Sequence, residues 1–187
     1  MSACLRPLLI SLMLLLFVPP VLADGVLVDK SEIRFVTKQM GVNFEGRFRK
    51  WRANVVFLAN DLAKSKAEFD IDLGSIDLES DDSESEVKGP LWFDMAKFPV
   101  AHFASTSMKS TGGDKFEVAG ALTMKGVTKG VVVPIAFKKD ASGNPVAEGT
   151  FSIKRLDYGI GLGLWSDTET VANDVVVKVR MVLPAAK

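Results

Sequence analysis

The chain has 187 residues, 48% of them hydrophobic, and sets 23 Lys and Arg against 23 Asp and Glu for a formal net charge of zero. That balance excludes the usual nucleic-acid binder, which carries a strong basic excess. A single cysteine and a single histidine exclude a disulfide scaffold and the common zinc or copper ligand sets, so neither a metal nor a cofactor is expected.

Residues 1–23 carry the pattern of a secretory signal peptide. Arg6 precedes an apolar run from Leu8 to Phe17, and Pro19-Pro20 and Val21-Leu22-Ala23 lead to a cut before Asp24. The run is short for a membrane span, which needs about 20 apolar residues. Cys4 lies ahead of the run, whereas a lipoprotein acylation cysteine follows it. The remaining segment, 24–187, suits one domain and is long enough to bury a core without disulfides.

Period-two alternation then dominates, as in half-buried strands. Ile33, Phe35 and Thr37 alternate with Arg34, Val36 and Lys38. Val42, Phe44, Gly46 and Phe48 follow, then Trp51, Ala53, Val55 and Phe57. Asp61–Lys66 suggests a short helical stretch. Ala67, Phe69, Ile71 and Leu73 form the cleanest one-sided strand.

Residues 77–86 hold six carboxylates, with Ser83 and Glu86 at capping-box spacing. A calcium loop fails there, because Asp82 stands where such a loop needs glycine. A helix start fits, since carboxylates suit the positive end of the macrodipole, and Gly89-Pro90 ends it. Val100 to Ala104 reads as a strand containing His102. Phe116 to Met124, Val131 to Phe137, Phe151 with Ile153, and Val171 to Leu183 complete the series. In the last of these, Val175, Val177, Val179 and Met181 share one face. Gly112-Gly113-Asp114 and Ala141 to Pro145 read as hairpin loops. Many short strands at regular spacing predict an all-β, antiparallel barrel or sandwich.

Catalytic motifs are weak. His102 lies in a strand and no nucleophile-elbow pattern accompanies it. Gly159-Ile160-Gly161-Leu162-Gly163 resembles part of a dinucleotide loop, but no helical pattern follows, so a bulged β connection fits better. The strongest signal is the 12 phenylalanines against one tyrosine, many on a single strand face. They fit either a packed core or a lined cavity for an apolar ligand, and the residues alone do not separate the two.

A set of motifs spans nearly all of 24–187: Val28 to Phe35, Phe44-Glu45-Gly46-Arg47-Phe48, Ile71 to Ile76, Trp92-Phe93-Asp94, Phe98-Pro99, His102-Phe103, Gly120 to Lys129, and Gly149-Thr150-Phe151 with Arg155 to Gly161. In order and spacing they resemble the YceI-like family. That resemblance implies a secreted, periplasmic, lipocalin-like antiparallel β-barrel with a short helix near one end and a long isoprenoid chain in its lumen. Many members carry an Arg-Asp-x-His-Leu-like stretch at the helix start. Here the region reads Asp82 to Lys88, an acidic variant that leaves the head group unspecified.

The resemblance implies a non-enzymatic carrier of a polyprenyl phosphate or a quinone. The expected cavity lining is Phe35, Phe44, Phe48, Phe57, Phe69, Ile71, Trp92, Leu122, Met124, Phe137, Phe151 and Trp165. Arg47, Lys125, Lys129 and Arg155 are the candidates to meet a head group, with plain solvation as the alternative for each. Rival readings are an accessory module for a membrane redox protein, such as a cytochrome b561-like partner, and a lipid-modifying enzyme using His102. Whether the protein forms a homodimer stays open.

Overall fold

A computed structural model describes residues 25–185; the expected signal peptide lies outside the described residues. The strands are β1 (Glu32–Gln39), β2 (Val42–Phe48), β3 (Trp51–Val56), β4 (Lys66–Asp72), β5 (Ile76–Asp77), β6 (Val100–Gly112), β7 (Lys115–Met124), β8 (Val127–Lys139), β9 (Pro145–Lys154) and β10 (Asp174–Val182), with one helix, α1 (Asp81–Lys88), between β5 and β6. They form one antiparallel sheet in the order β3-β4-β6-β7-β8-β9-β10-β1-β2-β5, curled into a lipocalin-like barrel.

The sheet meets itself at a corner. β3 continues β2 through Arg49-Lys50, and β5 continues β4 through a 3₁₀ turn at Leu73–Ser75. Arg49 N donates to Ser75 O, and Asp72 N to Lys50 O, both at 3.0 Å. Two bent strands thus bring the outer members of the sheet together. Unpaired edges invite aggregation, and curling removes most of them.

Tight turns set the register. Gln39 pairs with Val42 across Met40 (φ 51°) and Gly41 (φ 80°). Met124 pairs with Val127 across Lys125 (φ 48°) and Gly126 (φ 75°). Positive φ at both central residues is the two-residue geometry that matches strand twist. The Gly120 to Lys129 motif is therefore a hairpin. β8 and β9 pair only over Ile135–Lys139 and Pro145–Gly149. Toward α1 they diverge, and Tyr158 and Ile160 pack there in one cluster with Val127, Val131 and Ile153.

Several local expectations change. The cap of α1 is Ser80, whose side chain accepts from Ser83 N at 3.4 Å, so Ser83 lies inside the helix. Asp77 belongs to β5, and Asp81, Asp82 and Glu84 occupy the first helical turn, where the macrodipole favours them. Asp61–Lys66 holds only a 3₁₀ turn at Leu62–Lys64 before β4 begins at Lys66; so short a stretch cannot offset helix nucleation. β6 runs on to Gly112 through polar Ser105-Thr106-Ser107, where a register shift erases the alternation. The Gly159–Gly163 segment is, as expected, a connection between strands: it links two 3₁₀ turns, Arg155–Tyr158 and Gly163–Trp165.

Two strand glycines admit aromatic rings against the wall. A Cβ on Gly46 would strike the Phe35 ring, and one on Gly120 would strike the Phe103 ring and approach Ala104 O to 2.7 Å. Gly120→Ala is expected to cost about 1–3 kcal/mol, the usual cost of overpacking, read as a lower denaturation midpoint. Gly130→Ala, with nothing within 4 Å of its Cβ, should leave that midpoint near the parent value.

Candidate functional site

The inward face of the barrel surrounds a cavity of about 480 Å³, within the range of ligand pockets. All twelve residues expected to line a cavity do line it. Phe35, Phe44, Phe48, Phe57, Phe69, Phe137 and Phe151 are only half-buried: they contact one another and neighbouring rings, as in Phe35–Phe48 and Phe57–Phe137, and also border the cavity. The barrel therefore encloses open space and is not a fully packed core.

The two ends differ. At the end formed by the start of β7 and the end of β8, the Phe57 and Phe137 rings stack at 4.5 Å, and Phe116 meets both edge-on at 5.2 and 5.6 Å. This trio clusters at that end of the cavity. At the other end Thr37, Gln39, Phe44, Trp165 and the α1 residues Asp82, Ser83 and Glu86 also line the cavity. There Trp165 Nε1 donates to Glu86 Oε1 at 2.8 Å, tying α1 to the β9–β10 connection.

The sequence reading missed part of the lining. Phe103 and the Val175 to Met181 face belong to it; both sit in phase with inward neighbours, a signal that was present. Phe93 lines it too and packs against Phe48 at 6.5 Å, but it lies in a turn where no periodicity could flag it.

The head-group candidates sit differently from that expectation. Arg155 lines the cavity yet is 2% exposed, and its five N–H groups all reach carbonyls. Nε donates to Ala172 at 3.0 Å, Nη1 to Ile160 at 3.0 Å and Gly161 at 2.8 Å, and Nη2 to Trp165 and Val171 at 2.7 Å. A guanidinium has five donors, so none remains for a ligand. Burial lowers the Arg155 pKa, but an arginine stays charged, and its ring neighbour Trp92 lies 5.7 Å below. A side chain on Gly161 would collide with this guanidinium, and Gly161 also holds φ at 73°.

Lys125 Nζ donates to Pro90 O at 2.9 Å and Gly159 O at 2.7 Å, and burial pushes its pKa down. Arg47 does not line the cavity; its Nε donates to Asp77 Oδ2 at 2.7 Å, as does Arg49 Nε at 2.9 Å. Lys129 is exposed on β8. His102 faces outward from β6, with Nδ1 2.8 Å from Asp70 Oδ1, while its neighbours Ala101 and Phe103 line the cavity. Trp92 also lines it, and its buried indole N–H has no partner among the described residues.

The YceI-like domain profile matches residues 26–183. The chain belongs to the YceI-like family. A UPF0312 protein of Azotobacter vinelandii is 30% identical over 154 residues, 79% of each chain, and one from Pseudomonas syringae pv. tomato is 32% identical over 156 residues, 78% of this chain and 81% of that one. Among solved structures, Burkholderia cenocepacia BcnA superposes with a TM-score of 0.80 at 36% identity, covering 84% of this chain and 99% of that one. A polyisoprenoid binding domain from Saccharophagus degradans, implicated in plant cell wall breakdown, shares the fold with a TM-score of 0.67 at 18% identity, covering 88% of this chain and 99% of that one.

Arg155→Met leaves five carbonyls without donors and should cost about 3–5 kcal/mol, read by denaturant unfolding; Arg155→Lys, with three donors on a compact ammonium, should recover only part. Arg47, then Arg49, holds the Asp77 carboxyl below its ordinary range. A carboxyl depressed on folding contributes stability above the unfolded value of about 4, and that contribution is lost as pH falls through the folded value. Asp77→Asn should therefore lower the Tm at pH 7, with the gap to the parent shrinking as the pH is taken from about 5 toward 3.

Proposed function

We propose that this protein is a periplasmic, non-enzymatic carrier that holds a long-chain isoprenoid lipid in its barrel lumen. The observation that carries this reading is the open cavity walled by half-buried phenylalanines. Covering those faces with an isoprenoid tail removes apolar surface from water on both partners, worth about 25 cal/mol per Å². The described binding of the Saccharophagus neighbour supports the same class of ligand. The signal-peptide pattern of residues 1–23 supports export.

Of the two head groups, the uncharged quinone fits better than a polyprenyl phosphate. Arg155 and Lys125 spend their donors on carbonyls, Arg47 is held by Asp77, and the cavity opening carries Asp82 and Glu86. A phosphate there would meet carboxylates. His102, on the outer face, is far from such a cargo in topology, which favours carriage over chemistry on the lipid. A membrane redox protein, such as a cytochrome b561-like partner, is a natural recipient of a delivered quinone.

Mass spectrometry of an organic extract from the exported, purified protein is expected to return an isoprenoid near one per chain. A stably folded but lipid-free protein overturns the carrier reading. Phe69→Asp puts a carboxylate between Trp51 and Phe103, each 6.3 Å from the Phe69 ring, and should empty the lumen. A variant with the parent circular dichroism spectrum that still retained lipid at the parent level would count against this lining.

A further inference from the structure

Of the eight exposed large hydrophobic residues among the described residues, four sit on the connections at the open end, Leu164 (90% exposed), Met40 (78%), Leu162 (42%) and Leu91 (40%), and a fifth, Val42 (69%), starts β2 beside Met40. Backbone bonds join these connections into one rim. Leu162 N and Gly161 N both donate to Leu91 O at 2.9 Å, and Met40 N donates to Thr170 O at 2.9 Å. Gln39 and Val171 form an isolated bridge, and both line the cavity, as does Trp165, next to Leu164. The apolar tips therefore border the opening itself.

Resting on the carrier reading, we infer that this rim docks the barrel onto a lipid bilayer, mouth first, with Leu164 and Met40 entering the acyl boundary. The tips stand on short turns fixed by backbone hydrogen bonds, Met40 beside Gly41 and Leu164 beside Gly163, each glycine at positive φ. They are separated around an opening and do not make one flat face. A stable protein interface needs about 800 Å² per partner with close shape complementarity. Acyl chains accept separate apolar side chains with no such demand. An isoprenoid cargo also resides in the bilayer, so a mouth against the membrane spares its tail from crossing water.

The rim's charge selects the kind of bilayer. Asp81, Asp82 and Glu86 on α1, with Asp167 and Glu169 on the β9–β10 connection, are exposed at this end, and they outnumber Lys38 on β1 and Lys125, whose Nζ lies on Pro90 O beside Leu91. Such a surface is repelled by anionic lipid headgroups, so docking is apolar-driven and favours a zwitterionic surface.

Vesicle flotation of the exported protein tests this. Vesicles of phosphatidylethanolamine and phosphatidylcholine should carry the parent protein, and added phosphatidylglycerol should weaken the association. The double variant Met40→Ser/Leu164→Ser should partition about tenfold or more less well, since each full apolar burial is worth on the order of one decade. It should still bind a prenylated benzoquinone presented in detergent. Val132→Ser, an exposed site on β8, should float like the parent. The docking inference is overturned if the parent stays with the unbound fraction, if the double variant floats equally, or if flotation requires vesicles containing membrane proteins. Flotation that depends on the tips in a protein holding no lipid would keep the docking surface while removing the carrier reading.

Discussion

One buried guanidinium organises the functional end of this barrel. Arg155 follows β9 and gathers the carbonyls of Ile160, Gly161, Trp165, Val171 and Ala172. The segment it holds fills the wedge where β8 and β9 diverge, walls the cavity with Trp165, and presents Leu162 and Leu164 to solvent. Isolated, a charge buried this deeply would be costly; five carbonyl dipoles offset that desolvation. Gly161 is required by the same arrangement, because the guanidinium occupies the space of its missing side chain. The glycine run thus serves a cation clamp and not a nucleotide.

The rest of the stability must come from the wall. Each strand pairs on its neighbours, and the corner at Arg49-Lys50 and Leu73–Ser75 brings the sheet back to itself. Backbone hydrogen bonding around a curled sheet lets the interior stay open, where a sandwich or helical bundle would collapse without side-chain contact across its core. An open interior still leaves phenylalanine faces uncovered. A ligand that covers them binds the folded chain and not the unfolded one, so occupancy and stability are linked.

The ends divide the labour. The Phe57, Phe116 and Phe137 trio packs together at one end through aromatic contacts. The other is bordered by α1, held to Trp165 through a single exposed hydrogen bond with Glu86. The acidic turn that starts this helix, favoured there by its dipole, places the Asp82 carboxylate against the cavity.

The sequence by itself determined the strands, their inward faces and the family, because alternation with period two and turn glycines are local consequences of the pleat. It placed Phe35, Phe69, Leu122 and Phe151 on the right face for that reason. Tertiary structure alone decided whether that face meets other side chains or open space, since both outcomes need the same apolar residues. It also decided what the cations do. Sequence pattern does not distinguish Arg155, spent on five carbonyls, from Lys129, exposed on a strand; the partners come from residues 160–172 folding back. The same holds for Met40 and Leu164, which lie far apart in the chain and meet at one end because β1 pairs with β10 and Met40 N reaches Thr170 O there.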